Sequence, residues 1–419
     1  MSQSKAPVRD LTIKNQFKLS KFLVKWEMIL AYILVLINVS LMIAKPSLYF
    51  APGTLSSIIQ SGMDLSFMVM AMIFILMLGD IDVSIASIMI MSAMVTGLMM
   101  DAGIPALICV IAGILAGGVC GAFNGFLVAK VKMPSVIVTI STSMFFRGIV
   151  KIILDVNVLK NFPKFYSVVA WNNILGIPIS LICFLIVGAI FAVILHRTKY
   201  GRQLYMIGNN ETVALYSGIN VDKVKIMTFV IMGLMAGVSS IFFVGRMGGG
   251  VSSTMGTGYE LNVIAICVLG GISTNGGKGK AYGPIIATLI MAFLIYTLGL
   301  MGVDANSRKI LTGIILIGAV LIPNINKQLI ADLKLKYLYA NNKNIEAINL
   351  KCASDVKELK NKIAELKKNT QVPESEKTNK ISEYNNKIAS LKQKCKETTL
   401  TLKQETKEAN EKAKKRFAN

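Results

Sequence analysis

Long apolar runs alternate with short polar connections over most of the chain, from Glu27 to Pro323. Several of these runs approach the ~20 residues that an α-helix needs to cross the hydrocarbon core of a bilayer. The pattern predicts an all-α fold, a polytopic membrane helix bundle of about ten spans. The predicted spans are 27–44, 57–79, 85–100, 104–129, 134–153, 177–195, 226–244, 259–272, 282–300 and 309–322.

The composition changes after the last predicted span, where Lys, Glu and Asn dominate. Apolar residues recur there at three- and four-residue steps over 345–366 and again over 381–402, with Pro373 between the two stretches. This spacing is typical of helices that pair along one apolar face, so we predict a helical hairpin. Binding of a partner and a solvated appendage are equally good interpretations of it. The predicted regions are a basic N-terminus (1–26), a membrane domain (27–323) and a Lys-rich, coiled-coil-like extension (324–419).

Basic residues collect in alternate connections, and their distribution predicts the orientation of the chain. Lys and Arg are enriched in cytoplasmic loops of membrane proteins. The basic residues of 5–25, 130–132 and 196–225 are each separated by an even number of predicted spans, and a tenth span returns the tail to the same side. We therefore expect a multi-pass protein of the plasma (inner) membrane with both termini and 196–225 in the cytoplasm. The connection 154–176 is expected to lie outside.

Charge and residue content exclude several other classes of function. The net charge of +22 is explained by basic residues on the cytoplasmic side, which set the orientation of the chain and meet anionic lipid. No nucleic-acid partner is therefore expected. The cysteines show neither zinc-ligand spacing nor a disulfide framework. The glycine-rich stretch 270–283 is not a nucleotide-binding loop, because Ala281 follows Gly279 and Lys280 where such a loop has Ser or Thr. We predict a chain that is not an enzyme and holds neither a metal nor a cofactor.

Glycines at four-residue steps predict one helix-packing face. Residues spaced by four lie on the same side of a helix, and glycine there lets a second backbone approach closely. The glycines of this stripe are Gly113, Gly117, Gly121 and Gly125.

Three polar residues are candidates for a translocation path or a gate. Asp82 lies between two predicted spans in GDIDVS, and a charge inside a bilayer costs ~2.5–3.5 kcal/mol on insertion scales. The alternative is that Asp82 or Ser84 caps the following helix near the cytoplasmic face. Glu260 and Asn262 follow a glycine-rich connection on the predicted outer side. Glu260 is an equally good candidate for an interfacial charge.

The polar segment, defined as residues 196–225, interrupts the apolar pattern between two spans. Its sequence GNNETVALYSGINVDKVKI is typical of the surface of a soluble protein. The polar segment resembles the cytoplasmic loop of sugar-type ABC importer permeases, the ribose, galactose and xylose permease family. GDIDVS, FNGFLVAK, MPSVIVTISTSMFFRG and GTGYELNVIAICVLGG resemble further motifs of that family in the same order. The resemblance covers about residues 25–325.

The resemblance implies a function and its partners. A short helix of the polar segment would dock on a separate ATP-binding subunit, with Glu211, Ala214 and Gly218 facing it. ATP would be bound by that subunit, an extracytoplasmic sugar-binding protein would deliver the substrate, and a second permease copy or a paralogue would complete the path. The residues implied in ATPase coupling are Gly208, Asn210, Glu211, Ala214, Ser217, Gly218, Ile219 and Asn220.

Other functions fit parts of the pattern. The nearest alternative is an ABC permease for nucleosides or branched-chain amino acids. An ion-coupled secondary transporter would need paired ionisable residues at the middle of the bilayer, and Asp64 and Asp82 are the few that the apolar runs offer. A membrane scaffold that acts through the C-terminal hairpin is the remaining alternative.

Overall fold

The computed structural model describes residues 26–304, scattered positions between 307 and 318, 343–368 and 373–418. Most of the predicted basic N-terminus and of the predicted span 309–322 lies outside these residues. The chain forms two compact units, Met1–Val320 and Leu321–Asn419.

The described part of the first unit is mostly helical. Its elements in chain order are α1 (Trp26–Ala44), α2 (Pro46–Tyr49), α3 (Thr54–Gln60), α4 (Met63–Met77), α5 (Ile85–Asp101), α6 (Ala106–Ala129), α7 (Ser135–Leu154), α8 (Phe165–Trp171), β1 (Asn173–Ile174), β2 (Ile177–Pro178), α9 (Ile179–Arg197), α10 (Lys199–Asn209), α11 (Glu211–Tyr216), α12 (Val221–Arg246), α13 (Tyr259–Leu269) and α14 (Tyr282–Leu300).

Among the described residues, five helices are long and apolar enough to cross a membrane, namely α6, α7, α9, α12 and α14. A sixth span results if α3 and α4, which are bent by 41° at their junction, count as one. The helices α1, α5 and α13 coincide with further predicted spans, but their apolar parts are shorter. With 11 residues, α13 is only about 16 Å long, far less than a bilayer core. The predicted number of about ten spans is therefore not confirmed.

The centre of the first unit is formed by α4 and α12. Every residue of α4 is buried, as expected for a helix whose sequence is apolar on all sides. Around it pack α12, α9, α13 and α14, and α12 packs in turn on α5 and α6. Small and polar residues of α12 therefore lie in the interior, where they meet the other buried helices.

A short β-hairpin departs from the predicted all-α fold. β1 and β2 pair antiparallel, with Ile174 opposite Ile177. The two turn residues between them, Leu175 and Gly176, both have positive φ, at 50° and 81°. Positive φ at both central residues is characteristic of the type I′ turn, which connects the strands of hairpins with two-residue loops.

The second unit contains two long helices that pack on each other, α15 (Lys343–Lys368) and α16 (Glu374–Ala418). Pro373 directly precedes α16. A disulfide joins Cys352 of α15 to Cys395 of α16, and these cysteines lie at nearly equal distances along the chain from Pro373. The cysteine spacing gave no indication of this bridge, so the expectation of no disulfide is wrong here. The cytoplasmic location of the pair stays a prediction.

Candidate functional site

Three polar side chains divide the polar segment into helices. The side chains of Thr198, Asn210 and Asn220 each accept a hydrogen bond from the backbone N–H three residues further on, at 3.2, 3.0 and 3.0 Å. Such caps satisfy backbone donors that a helix start leaves unpaired. The polar side chains thereby fix where α10, α11 and α12 begin.

Close backbone contacts fasten the polar segment to two neighbouring connections. A side chain at Gly208 would overlap the carbonyl oxygen of Met77 and would lie 2.5 Å from the Gly277 nitrogen. The Gly277 N–H donates to the same Met77 oxygen at 3.0 Å. The Tyr205 hydroxyl donates to the Gly279 carbonyl at 2.7 Å. The end of α10 is thus held against the connection after α4 and the connection between α13 and α14.

A cation at the start of α12 holds α11 in place electrostatically. The Lys225 ammonium lies 2.8 Å from a Glu211 carboxylate oxygen and 3.8 Å from an Asp80 oxygen. Burial raises the pKa of the Asp80 carboxyl above its ordinary value, and Lys225 opposes this shift. The Lys225 side chain is only 12% exposed, so solvent screens this network less than it screens a surface ion pair.

Of the three residues predicted to face the ATP-binding subunit, Glu211 and Gly218 are exposed and Ala214 is not. Ala214 is fully buried within the chain, so the expectation that it faces a partner subunit does not fit this structure. Its neighbours Val213, Leu215 and Tyr216 are 58%, 60% and 87% exposed. The apolar surface, as these three residues are called below, could not be read from composition because the helix has fewer than two turns. Gly218 follows with φ of 80° and open space around it.

The other residues implied in coupling have local roles in the fold. The hydroxyl of Ser217, which directly follows α11, donates to the Val213 carbonyl of that helix at 2.9 Å. Ile219 is buried against the hydrophobic core, whereas Asn210, Glu211 and Asn220 are exposed. Only the exposed members of the set can therefore contact another protein without rearrangement.

The glycine stripe of α6 lies mainly against α12. A side chain at Gly117 would overlap the Gly233 carbonyl oxygen, and one at Gly121 would overlap the Phe229 carbonyl oxygen. A side chain at Gly125 would lie 2.9 Å from the Ile226 Cα atom. Gly113, at the other end of the stripe, meets α5 instead, where a side chain would overlap the hydroxyl of Thr96. α12 contributes Gly233 to the same contact, so two backbones touch, as small residues allow between membrane helices.

Asp82 is fully buried in the connection that precedes α5, three residues before this helix begins. One of its carboxylate oxygens accepts from the Ser84 N–H at 2.8 Å and from the Ser84 hydroxyl at 2.6 Å. The Asn124 side chain in turn donates to the Ser84 hydroxyl at 2.7 Å. Burial raises the pKa of Asp82 to about 6. Within the described residues its second oxygen, Oδ2, has no hydrogen-bond partner.

A buried ion pair that the sequence reading missed joins three helices. Arg246, at the end of α12, donates through Nε to Asp64 Oδ2 at 3.0 Å, and Asp64 is only 1% exposed. Tyr259, at the start of α13, donates its hydroxyl to the same oxygen at 3.1 Å and accepts from Arg246. In the sequence, the only indication of this cluster is that the carboxylate of Asp64 lies within an apolar run.

A small polar cavity adjoins this cluster and brings in one of the predicted pathway residues. It has a volume of about 150 Å³ and is lined by Arg246, Tyr259, Asn262 and Thr288 together with apolar side chains. This is room for about five water molecules or hydroxyl groups. Glu260 accepts from the Gly258 N–H at 3.3 Å and does not line the cavity. The structure therefore groups Asn262 with the ion pair and leaves Asp82 and Glu260 at separate places.

A bundle of apolar helices with a buried ion pair and a polar connection between two candidate spans is the architecture of a polytopic membrane protein. A family model described as branched-chain amino acid transport system / permease component matches residues 54–320, which is more than half of the chain. The chain belongs to this family of transport-system permease components.

Curated relatives support the same conclusion. The ribose import permease protein of Bacillus subtilis is 34% identical over 253 residues, which are 60% of this chain and 78% of the relative. The ribose import permease protein of Escherichia coli K12 is 32% identical over 283 residues, 66% of this chain and 87% of the relative. The D-allose transport system permease protein of the same strain is 34% identical over 248 residues, 59% and 76% of the two chains. No solved structure gives a significant match.

Proposed function

We propose that this chain is the membrane subunit of an ABC importer and forms the translocation path for a simple sugar such as ribose, galactose or xylose. The relatives named for ribose and allose transport support the substrate class. A separate ATP-binding subunit supplies the energy, so the chain itself needs no cofactor. An extracytoplasmic sugar-binding protein delivers the substrate, and a second permease copy or a paralogue completes the path.

The observation that carries this proposal is the apolar surface on α11. A short helix in a polar connection exposes a tyrosine and two aliphatic side chains, although its own Ala214 is buried. Exposed apolar groups ringed by polar residues are typical of binding sites, and tyrosine is enriched among residues that dominate binding energy. The cap at Asn210 and the ion pair of Glu211 with Lys225 hold this surface on the start of α12. Movement of a bound ATPase would therefore reach the bundle directly.

Replacing Tyr216 with Asp is expected to detach the ATP-binding subunit. The change puts a charge into an apolar contact, and residues at the centre of an interface typically cost about 2 kcal/mol or more when lost, which is over tenfold in affinity. The measurement is co-purification of the ATPase subunit of the same transport system with the tagged permease. Leu175→Asp is the matched control, because Leu175 is 98% exposed in the β-hairpin, outside the polar segment.

A contradicting outcome for this prediction is full recovery of the ATPase with Tyr216→Asp. Equal losses with Tyr216→Asp and Leu175→Asp would also contradict it, because a general effect of charge on the protein would then explain both. Loss with Tyr216→Asp alone supports a docking role for α11.

Uptake measurements separate the proposed substrate and energy source from the alternatives. Cells that depend on this system for uptake are offered labelled ribose, leucine or a nucleoside. Uptake of the sugar alone supports the proposal, whereas uptake of leucine or of the nucleoside supports the nearest alternative. Inactivation of the ATPase subunit should abolish uptake. If uptake persists without the ATPase and a proton uncoupler then abolishes it, the chain is instead an ion-coupled secondary transporter.

The polar cavity beside Asn262 is the part of the bundle that suits a sugar in transit. Its hydroxyl, amide and guanidinium groups can exchange hydrogen bonds with sugar hydroxyls, while its apolar wall leaves the ring loosely held. We assign Asn262 to the path and keep Asp82 and Glu260 as gating candidates. Weak contacts fit a permease, because binding has to be reversed for the substrate to leave.

The proposed orientation predicts a pattern of chemical labelling. In a background without cysteines, Asn161→Cys should react with a membrane-impermeant thiol reagent from outside, whereas Asn209→Cys and Ser382→Cys should not. All three positions are exposed in the structure, so a lack of reaction reports the side of the membrane and not burial. Lysis of the cells should expose both protected positions. Labelling of Ser382→Cys in intact cells would contradict a cytoplasmic C-terminal hairpin.

A further inference from the structure

A groove at the start of α12 has one basic end and one apolar end. Its volume is about 480 Å³, and it lies between α12, α10 and the end of α6. Its lining includes Lys130, Gln203 and Lys223 and, up to two turns further along α12, Ile226, Met227 and Val230. We call this feature the basic groove.

The two ends lie at different depths along the helix. Lys223 and Val230 are separated by seven residues of one continuous helix, which corresponds to about 10 Å along its axis. Because α12 is long and apolar enough to span a membrane, we place its first turn at the membrane surface and its third among acyl chains. The basic groove thus changes from cationic to apolar in the direction in which a phospholipid changes from phosphate to hydrocarbon.

The charge at the polar end favours an anion. Lys130 and Lys132 share the single carboxylate of Asp222, at 3.1 and 2.6 Å, so one positive charge of this group remains uncompensated. Lys223 is exposed and has no ion-pair partner among the described residues. Lysines at this level attract anionic headgroups, and their stems can pack on apolar surface.

We propose that the basic groove binds an anionic phospholipid. Its phosphate lies between Lys130 and Lys223, and one acyl chain lies along Ile226, Met227 and Val230. Met227 is 53% exposed, which leaves room for that chain. The proposal uses the cytoplasmic placement of the polar segment given above, since anionic lipids are enriched in that leaflet. It does not depend on which substrate is transported.

The test measures which lipid contacts the groove in the full-length chain. Trp26→Phe and Trp171→Phe remove the native tryptophans, and Met227→Trp introduces one reporter. The protein is reconstituted into equimolar vesicles of phosphatidylglycerol and phosphatidylcholine in which one or the other lipid carries brominated acyl chains. We expect brominated phosphatidylglycerol to quench the reporter several-fold more strongly than brominated phosphatidylcholine.

Matched variants distinguish a site from general attraction to the membrane. A reporter at Val119→Trp, on an exposed part of α6, should be quenched equally by both lipids. Lys130→Gln with Lys223→Gln should lower the preference at Met227→Trp to this control value. Lys199→Gln, an exposed lysine of the same polar segment that does not line the groove, should leave it unchanged.

Several outcomes would overturn the proposal. Equal quenching by the two lipids at Met227→Trp would do so, as would a preference that survives the double lysine change. If neither lipid quenches the reporter and Met227→Cys forms a disulfide between two copies, a second permease covers the groove. Because quenching requires neither an ATPase nor a substrate, a negative result here leaves the proposed transport function untouched, and the reverse also holds.

Discussion

Replacing Arg246 with Met is expected to destabilise the membrane domain by about 3–5 kcal/mol, because it leaves the Asp64 carboxylate buried without its cation. Asp64 is 1% exposed and receives both Arg246 and the Tyr259 hydroxyl on one oxygen. Breaking one side of a buried pair is costly since the remaining charge stays in the interior with only the Tyr259 hydroxyl as a donor and without a compensating cation. The measurement is thermal unfolding of the purified full-length chain in detergent.

Two controls identify the cause of this loss. The double change Arg246→Met with Asp64→Asn removes both charges and should recover much of the stability that the single change loses. Lys132→Gln removes one partner of the exposed pair with Asp222, whose lysine is 61% exposed, and should cost about 0–1 kcal/mol. If the double variant is less stable than Arg246→Met alone, the uncompensated charge is not the reason for the loss.

Local chemistry made part of the site predictable. Asn210 and Asn220 precede helices because their side chains can cap them, and this depends only on neighbours three residues away. The four-residue glycine spacing likewise predicts a flat helix face. This face packs on the backbone of α12 around Phe229 and Gly233. The spacing does not predict that partner, because the contact depends on the tertiary fold.

The features that sequence reading missed depend on residues far apart in the chain. Asp64 and Arg246 are 182 positions apart, and no local pattern links them. Ala214 was expected to face outward, yet a helix of six residues has too few positions for a periodic apolar face to show its orientation. The bridge between Cys352 and Cys395 depends on the register of the two helices, which spacing alone does not give.

One helix connects the proposed docking surface to the buried ion pair. α12 has 26 residues and is therefore about 39 Å long. Near its start, Lys225 forms an ion pair with Glu211 of α11. At its end, Arg246 forms an ion pair with Asp64 and lines the polar cavity. A displacement of α11 would therefore be transmitted along α12, a single continuous helix, to the buried ion pair and the polar cavity. We expect the glycine contact with α6 to limit how freely α12 can move.

Replacing Gly121 with Leu is therefore expected to abolish uptake and to lower the thermal stability of the membrane domain. Even the first side-chain carbon would overlap the Phe229 carbonyl oxygen and would lie 3.1 Å from the Gly233 Cα atom. These are backbone atoms that cannot change rotamer, so α6 and α12 must separate, and the cost should reach or exceed the upper end of the ~1–3 kcal/mol typical of overpacking. The measurements are sugar uptake in cells and thermal unfolding of the purified chain.

Gly148→Leu is the matched control for this change, because it is the same substitution within α7 at a position with open space around it. Leucine forms helices more readily than glycine, so Gly148→Leu should leave stability equal or slightly higher and should preserve uptake. Gly121→Ala should fall between the wild type and Gly121→Leu, since it introduces the overlap without the bulk. If Gly121→Leu is as stable and as active as Gly148→Leu, the two helices do not need the close contact that the structure shows. The stripe would then be dispensable, and α12 could not depend on it for its position.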